Sequence, residues 1–273
     1  MRTLAHLSDL HFDRVDPRVL DPLRRKLHAL APDLVVVSGD LTQRARKKQF
    51  EAAMEFLATL PKPQLVVPGN HDVPLYNVFK RFFAPLANYT SVVSDDLSPE
   101  FIDDEMAVVG VNTARSLVFK GGRISEEQAQ MVRKKLCGLP DHLAKIIVTH
   151  HPFNVPKGSS EEDQIVGGAG EALEKLAGCG ADVLLSGHLH EAHVGHTANR
   201  YCIAGVSALV VQAGTATSSR TRDSTNSFNL LRLSPQHIEV DTYLWTGSDF
   251  IVHGTEAYDH GDHGWSESAH GPH

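Results

Sequence analysis

Short apolar runs in this chain repeatedly end in a cluster of polar residues rich in Asp, His and Asn. Five clusters do so, and they are Asp9-Leu10-His11, Gly39-Asp40, Gly69-Asn70-His71-Asp72, His150-His151-Pro152 and Gly187-His188-Leu189-His190. Longer amphipathic segments separate the runs, and this alternation is typical of a layered α/β domain. Because functional groups collect beyond the carboxyl ends of strands in such a sheet, we expect the five clusters to lie together.

The apolar runs predict strands, and the segments between them predict helices. The strands are Thr3–Leu7, Leu34–Val37, Leu65–Val67, Val108–Val111, Lys145–Val148 and Val183–Leu185. One helix is predicted around Phe50–Leu57, where apolar residues recur at three-to-four spacing. A second is predicted from Ser125, which forms a capping box with Gln128, and a third over Gly170–Leu176.

The pattern changes after Gly187, where β-rich alternation over residues 190–245 predicts a second, mostly antiparallel sheet. Its strands are Tyr201–Val206, Leu209–Gln212, Phe228–Leu233 and His237–Tyr243. The loops Phe153–Gly168 and Ala213–Asn226 are long enough to act as lids or binding loops. Without repeats or a linker-like segment, residues 1–250 are predicted to form one domain. Residues 251–273, which are acidic and rich in His and Gly, are predicted to be a flexible tail.

The formal net charge of −7 comes from the C-terminal end, because no Lys or Arg follows Arg232. The preceding part is neutral, which argues against a nucleic-acid polymer held by many phosphate contacts. The three cysteines, Cys137, Cys179 and Cys202, are widely spaced and are predicted to be reduced. No apolar run is long enough to span a membrane, and polar residues follow the first methionine closely, so a cytoplasmic location is expected.

The polar clusters supply donors of the kind that bind Mn²⁺, Fe or Zn²⁺, namely carboxylate and amide oxygens and imidazole nitrogens. Seven residues are candidate ligands: Asp9, His11, Asp40, Asn70, His150, His188 and His190. Seven ligands are too many for one tetrahedral ion but suit two ions about 3.5–4 Å apart that share a carboxylate. Asp40, which follows a glycine, is the expected bridging residue.

Two divalent ions held by only two carboxylates keep a positive charge, which attracts an anionic phosphoryl group. Such ions also lower the pKa of bound water, so the expected reaction is hydrolysis of a phosphate ester by in-line attack of a bridging hydroxide. His71 is predicted to protonate the leaving oxygen, with Asp72 holding its tautomer. Asn70, His71, Arg115 and His151 are candidate substrate-binding residues. An alternative for Arg115 is to anchor a loop, and one for His151 is to lie beneath the site.

The five clusters in this order resemble the signature of the calcineurin-like metallophosphoesterases. The resemblance implies a four-layer αββα sandwich, in which two facing mixed β-sheets are flanked by helices. It also implies that Asp9, His11, Asp40 and His190 bind one ion. By the same resemblance Asp40, Asn70, His150 and His188 bind the other, and His71 is the proton donor. The His6–Phe12 segment and the intact Gly69–Asp72 motif are similar to class III cyclic-nucleotide phosphodiesterases and to glycerophosphodiesterases.

We therefore expect a metal-dependent phosphodiesterase for small phosphodiesters, with cyclic nucleotides favoured and glycerophosphodiesters next. The cofactors would be two ions per chain, Mn or Fe before Zn. The alternatives are a phosphomonoesterase, a nuclease and a metal-binding scaffold without activity. A homodimer through the C-terminal β-rich region is also expected.

Overall fold

The computed structural model describes residues 1–116, 121–155, 161–201, 203, 207–219, 225–262 and 264–269. The helices are α1 (Pro17–Leu30), α2 (Lys47–Leu57), α3 (Val78–Phe83), α4 (Ala87–Val92), α5 (Glu126–Leu136) and α6 (Ala169–Leu176). Strands of the amino-terminal part are β1 (Arg2–Leu7), β2 (Leu34–Ser38), β3 (Gln64–Val67), β4 (Glu100–Ile102), β5 (Met106–Gly110) and β6 (Ala144–Val148). The remaining strands are β7 (Val183–Ser186), β8 (His193–His196), β9 (Leu209–Gln212), β10 (Ser227–Leu233), β11 (His237–Trp245), β12 (Phe250–Gly261) and β13 (Gly264–Glu267).

The strands form two mixed sheets. One has the order β13-β12-β11-β10-β1-β2-β3, and the other has the order β4-β5-β6-β7-β9-β8. Parallel pairing joins β1, β2 and β3 in the first sheet and β5, β6, β7 and β9 in the second. The carboxyl ends of these parallel strands are where the polar clusters begin.

Alternation along the strands builds three apolar cores. In β2, Leu34 and Val36 face the core between the sheets, and Val35 and Val37 face the core under α1 and α2. Side chains of β5 and β6 that point away from the first sheet pack against α5 and α6. Successive strand residues point to opposite faces, so a fully apolar strand is buried on both sides. The predicted sandwich of two mixed sheets flanked by helices is confirmed.

The start of α5 follows a local sequence signal. The Ser125 hydroxyl accepts a hydrogen bond from the Gln128 backbone N–H at 3.3 Å, and the Gln128 side chain accepts one from the Ser125 N–H at 3.0 Å. The predicted capping box of α5 is therefore confirmed. Among the described residues, no helix combines the length and apolar character needed to cross a membrane.

The second half of the chain differs from the prediction. Residues 190–245 do not form a sheet of their own, because β8 and β9 extend the second sheet and β10 pairs with β1 in the first. The predicted strand Tyr201–Val206 falls largely outside the described residues, as do parts of both long loops.

The flexible-tail prediction for residues 251–273 is wrong for the described part of that segment. β12 pairs with β11 over most of its length, and β13 pairs with the end of β12. Phe250, Tyr258 and Trp265 are buried and attach these strands to the cores. The His and Gly residues between them mask an alternating strand pattern. Residues 270–273 lie outside the described part.

The cysteine prediction is also corrected. Cys137, just after α5, and Cys179, just after α6, are joined by a disulfide. Because α5 and α6 pack side by side, residues just past their ends come together although 42 positions separate them. Cys202 lies outside the described residues.

Candidate metal centre

The polar clusters that follow β1, β2, β3, β6 and β7 meet at one edge of the sandwich, where the carboxyl ends of the parallel strands of both sheets lie. Asp9 Oδ1, after β1, lies 3.1 Å from His190 Nε2, after β7. Asn70 Oδ1, after β3, lies 2.9 Å from His150 Nε2, after β6. The structure thus brings residues from both sheets into one site, as the strand-end pattern predicts.

The first group of donor atoms comprises Asp9 Oδ1, His11 Nε2 and His190 Nε2. His11 Nε2 lies 3.4 Å from Asp9 Oδ1 and 3.1 Å from His190 Nε2. Asp9 and His11 are completely buried. Donors bonded to one ion at roughly 2.1 Å would be separated by similar distances.

The second group is centred on His150. Its Nε2 lies 3.3 Å from His188 Nδ1 and 3.4 Å from Asp40 Oδ2, in addition to its contact with Asn70. The other ring nitrogen, Nδ1, donates to the backbone carbonyl of Ser38 at 2.8 Å. That hydrogen bond directs Nε2 into the site, an arrangement common for histidines that bind metals.

Asp40 lies between the two groups. Its Oδ2 faces His150 in one group and is 3.9 Å from His11 Nε2 in the other. Its Oδ1 accepts a hydrogen bond from the His71 backbone N–H at 2.7 Å, which fixes the plane of the carboxylate. A single carboxylate oxygen therefore faces both donor groups.

The two buried carboxylates are held in their charged form. Burial alone would raise the pKa of Asp9, but His190 and His11 keep it well below its usual value. Burial likewise opposes ionisation of Asp40, and its neighbours His150 and His71 lower the pKa of this carboxyl. Burial lowers the pKa of His188 to about 3, which keeps this imidazole neutral.

The donor set fits metal cations. Burial lowers the pKa of His11, so its ring is neutral and presents lone pairs rather than added protons. These buried oxygen and nitrogen atoms lie only 3.1–3.4 Å apart, a spacing at which they can bind a common cation. Nitrogen and oxygen donors without thiolate suit Mn²⁺, Fe and Zn²⁺.

Backbone geometry at the site is unusual. Five candidate ligands adopt positive φ angles between 49° and 77°, and they are Asp9, His11, Asp40, His188 and His190. A residue other than glycine pays about 1–3 kcal/mol in this region. Such strain persists only where surrounding contacts enforce it, and it is concentrated here on the donor residues.

Two threonines that the sequence reasoning missed supply part of that enforcement. Thr215 Oγ1 donates to the carbonyl of Asp9, and Thr217 Oγ1 donates to the carbonyl of Leu10, both at 2.7 Å. Both side chains are completely buried. The alternating Thr-Ala-Thr sequence was the available signal, because it places two hydroxyls on the same side of an extended segment.

His71 has a different support from the one predicted. Its Nδ1 lies 3.0 Å from the carbonyl oxygen of Gln43 and 3.1 Å from Gln43 Nε2, so Nε2 is the ring nitrogen available to a ligand. The Asp72 carboxylate instead accepts from the backbone N–H groups of Leu41, Thr42 and Gly69 at 2.9–3.1 Å. Burial and the charge of Asp40 raise the pKa of Asp72 to about 7. The prediction that Asp72 holds the His71 tautomer is therefore wrong: Asp72 joins the loops after β2 and β3.

His151 and Arg115 are also placed differently from their predicted substrate-binding role. His151 is completely buried, its Nδ1 lies 2.8 Å from Thr113 Oγ1, and its ring contacts that of His188. It supports the site from beneath. Arg115 donates to the backbone carbonyls of Asn112 and Ala114 at 3.1 and 3.0 Å, and it also contacts Gln128. Arg115 therefore anchors a loop to α5, which was the alternative considered for it.

The fold and the site define a class of protein, and comparison with known families identifies the same one. Residues 2–192 match the family model of the calcineurin-like phosphoesterases. The chain therefore belongs to the calcineurin-like phosphoesterase family, and the resemblance inferred from the five motifs is confirmed.

Particular relatives share about a quarter to a third of aligned residues. The chain is 31% identical over 180 residues to the 3′,5′-cyclic adenosine monophosphate phosphodiesterase CpdA of Escherichia coli (strain K12), covering 63% of this chain and 59% of that protein. It is 26% identical over 190 residues to the glycerophosphodiester phosphodiesterase GpdQ of Enterobacter lignolyticus, covering 63% and 64%. The match thus spans less than two thirds of these relatives.

Solved structures share the fold. The purple acid phosphatase PPD1 from yellow lupin superimposes with a TM-score of 0.71 at 15% identity, covering 94% of this chain and 53% of that one. A structure of PhoD superimposes with a TM-score of 0.69 at 11% identity, covering 98% and 71%.

Proposed function

We propose that the protein is a dinuclear metal-dependent phosphodiesterase that hydrolyses small phosphodiesters. The observation that carries this proposal is the position of Asp40 Oδ2, which lies 3.4 Å from His150 and 3.9 Å from His11. One oxygen facing two donor groups is the arrangement that a bridging carboxylate requires. The names of the CpdA and GpdQ relatives support the phosphodiesterase class.

The residues divide into two ligand sets that share Asp40. Asp9, His11 and His190 would hold one ion with Asp40, and Asn70, His150 and His188 would hold the other. Bound ions would supply Lewis acidity and a water molecule of lowered pKa, with Mn or Fe favoured over Zn. Only Asp9 and Asp40 contribute negative charge to these sets, so the loaded site stays positive and attracts a phosphoryl group.

His71 would protonate the leaving group. It follows the ligand Asn70, its Nδ1 faces the Gln43 carbonyl, and its ring centre lies 4.9 Å from that of His11. A proton on His71 Nε2 can pass to the departing oxygen. General acid catalysis of this kind contributes about 10²–10⁴-fold.

The proposal is tested by metal analysis and a substrate panel on protein loaded with Mn²⁺, Fe²⁺ or Zn²⁺. The panel contains cyclic AMP, 2′,3′-cyclic nucleotides, glycerophosphocholine, bis(4-nitrophenyl) phosphate and 4-nitrophenyl phosphate. We expect about two ions per chain and a higher kcat/KM for the nitrophenyl diester than for the monoester. Asp40→Asn should lose both metal and activity.

Each alternative has its own signature. A monoester preferred over the diester would indicate a phosphomonoesterase, and a KM that rises steeply with salt on polymeric DNA would indicate a nuclease. Fewer than one ion per chain after loading would indicate a scaffold.

The expected homodimer through the C-terminal strands and the expected cytoplasmic location stay predictions. Size-exclusion chromatography with light scattering would test the homodimer, and fractionation of the source cells would test the location.

A further inference from the structure

A cavity of about 240 Å³ opens beside the candidate metal centre. The described residues that line it are Gln43, Arg44, Asn70, His71, Val73, Leu75 and Arg81. Asn70 and His71 belong also to the candidate site, so a molecule in the cavity would touch the proposed proton donor. None of these lining residues is acidic.

The wall that carries Arg44 is held in place at successive residues. The Arg44 N–H donates to Gln49 Oε1 at 2.9 Å, and the Ala45 N–H donates to Thr42 Oγ1 at 2.9 Å. The Ala45 carbonyl accepts from Asn88 Nδ2 at 2.8 Å. Ala45 has a φ of 52°, a conformation that these contacts maintain. These contacts fix the backbone at residues 44 and 45. They therefore fix the position of the Gln43 carbonyl, which faces His71, and the point from which the Arg44 side chain extends.

Among the described residues, no acid neutralises the charge of Arg44. Its guanidinium lies over the ring of Tyr76, 5.2 Å from the ring centre, and Tyr76 is 77% exposed. Across the residues that the structure describes, no carboxylate lies within ion-pair distance of Arg44. An arginine placed in this way presents a planar set of donors to an oxyanion.

Arg81 has a different part in the wall. It is only 3% exposed and donates to the carbonyls of Ser116 and Pro74 at 2.7 and 3.1 Å. These bonds make it a structural element of the cavity. Arg44 is therefore the residue that can respond to a ligand.

We propose that this cavity is the leaving-group subsite and that it takes an alcohol bearing a second anionic group, a carboxylate or a phosphate, with Arg44 as the specificity-determining residue. The inference rests on the proposed function, because it uses His71 as the donor to the leaving oxygen. A water molecule releases one proton to solvent and its oxygen forms the new bond to phosphorus, while the bond to the leaving oxygen breaks with its electron pair. His71 supplies the proton that this oxygen takes up. Whatever the oxygen carries must then extend from His71 into the cavity, towards Arg44.

The proposal orders substrates by the charge of the leaving alcohol. An anionic alcohol pairs with Arg44 and gives the best substrate. A neutral alcohol lacks that ion pair, and a cationic alcohol such as choline is repelled by Arg44. A charge-assisted bidentate contact is about twice as strong as a neutral hydrogen bond.

The test uses two diesters that differ by one carboxylate, methyl 4-nitrophenyl phosphate and methyl 3-carboxy-4-nitrophenyl phosphate. For the wild type we expect kcat/KM to be about tenfold higher for the carboxylated diester. Arg44→Gln should remove most of that preference, and Arg44→Lys should retain part of it. Arg46→Gln is the matched control, because Arg46 is exposed two residues away and does not line the cavity. It should leave the ratio unchanged.

Binding of the alcohols separates failure of the subsite from failure of the proposed function. Calorimetry compares 5-hydroxy-2-nitrobenzoate with 4-nitrophenol on Mn²⁺-loaded protein, and it needs no turnover. We expect the wild type to bind the carboxylated alcohol about tenfold more tightly than 4-nitrophenol. Arg44→Gln should bind the two alcohols with equal affinity. The proposal is overturned if Arg44→Gln still prefers the carboxylated compound. It is also overturned if Arg44→Gln loses kcat/KM equally on both diesters, because that result would place Arg44 on the phosphoryl group. The expected binding difference without hydrolysis of either diester would support the subsite and contradict the phosphodiesterase function.

Discussion

Gly69 packs directly against the carboxylate of Asp40, so a β-carbon at position 69 would overlap Asp40 Oδ1. The same oxygen also accepts a hydrogen bond from the backbone N–H of His71 at 2.7 Å. The carboxylate that faces both donor groups is thus confined between a glycine and a hydrogen bond. Its position depends on the absence of a side chain at residue 69.

Gly69→Ala should therefore lower the metal content and reduce activity by about 100-fold, a loss typical of a misplacement near 1 Å. The φ of Gly69 is −108°, which alanine also adopts, so the effect is steric and local. Metal analysis and kcat/KM on bis(4-nitrophenyl) phosphate measure it. Gly138→Ala is the control, because a β-carbon there meets open space. Normal metal content and activity in Gly69→Ala would show that Asp40 can move without consequence.

Much of this arrangement could be predicted from the sequence because the ligands follow strands. Leu34–Val37 is fully apolar, so it must be buried on both faces, and Asp40 then follows at a strand end. The same reasoning places His150 and His188. These predictions need only the local pattern and the general geometry of parallel sheets.

Contacts between distant segments were beyond the sequence pattern. Thr215 donates to the carbonyl of Asp9 across 206 positions. The Thr-Ala-Thr alternation places the two hydroxyls on one side, but it does not identify the carbonyls that they bind. The support of His71 by a backbone carbonyl was missed for a related reason, since the Gln43 side chain does not reveal where its carbonyl points. β12 was missed because its outward positions hold His and Gly, while its buried Tyr258 lies close to the end of the strand.

His71→Asn should reduce turnover according to the leaving group. Phenolate is a poor leaving group and needs a proton, whereas 4-nitrophenolate departs without one. We expect a loss of about 100-fold or more on methyl phenyl phosphate and of about tenfold or less on methyl 4-nitrophenyl phosphate. His142→Asn, in an exposed loop, is the control. Equal losses on both diesters would argue that His71 only shapes the site.

Asp72→Asn distinguishes a loop-joining residue from a tautomer-holding one. An amide cannot accept all the N–H groups that Asp72 now receives from Leu41, Thr42 and Gly69, and burial makes each lost bond cost about 1–3 kcal/mol. We expect lower stability in urea and a similar activity loss on the phenyl and nitrophenyl diesters, because Asp40 shifts with its loop. A loss confined to the phenyl diester would restore the role in holding the His71 tautomer.

The C-terminal strands give the protein a pH-dependent contribution to stability. His237 on β11 lies 2.6 Å from Asp259 on β12, and this hydrogen bond raises the pKa of His237 above its usual 6.5. A group with a raised folded-state pKa contributes stability that is complete below pH 6.5 and is lost as the pH rises through the folded pKa. His237→Gln should therefore lower Tm at pH 6 by up to about 3 °C, the range for a surface pair, and by less at pH 9. His253→Gln, exposed on β12, should not show this trend. A difference in Tm that is constant or grows with pH would mean that the charge of His237 does not hold these strands together.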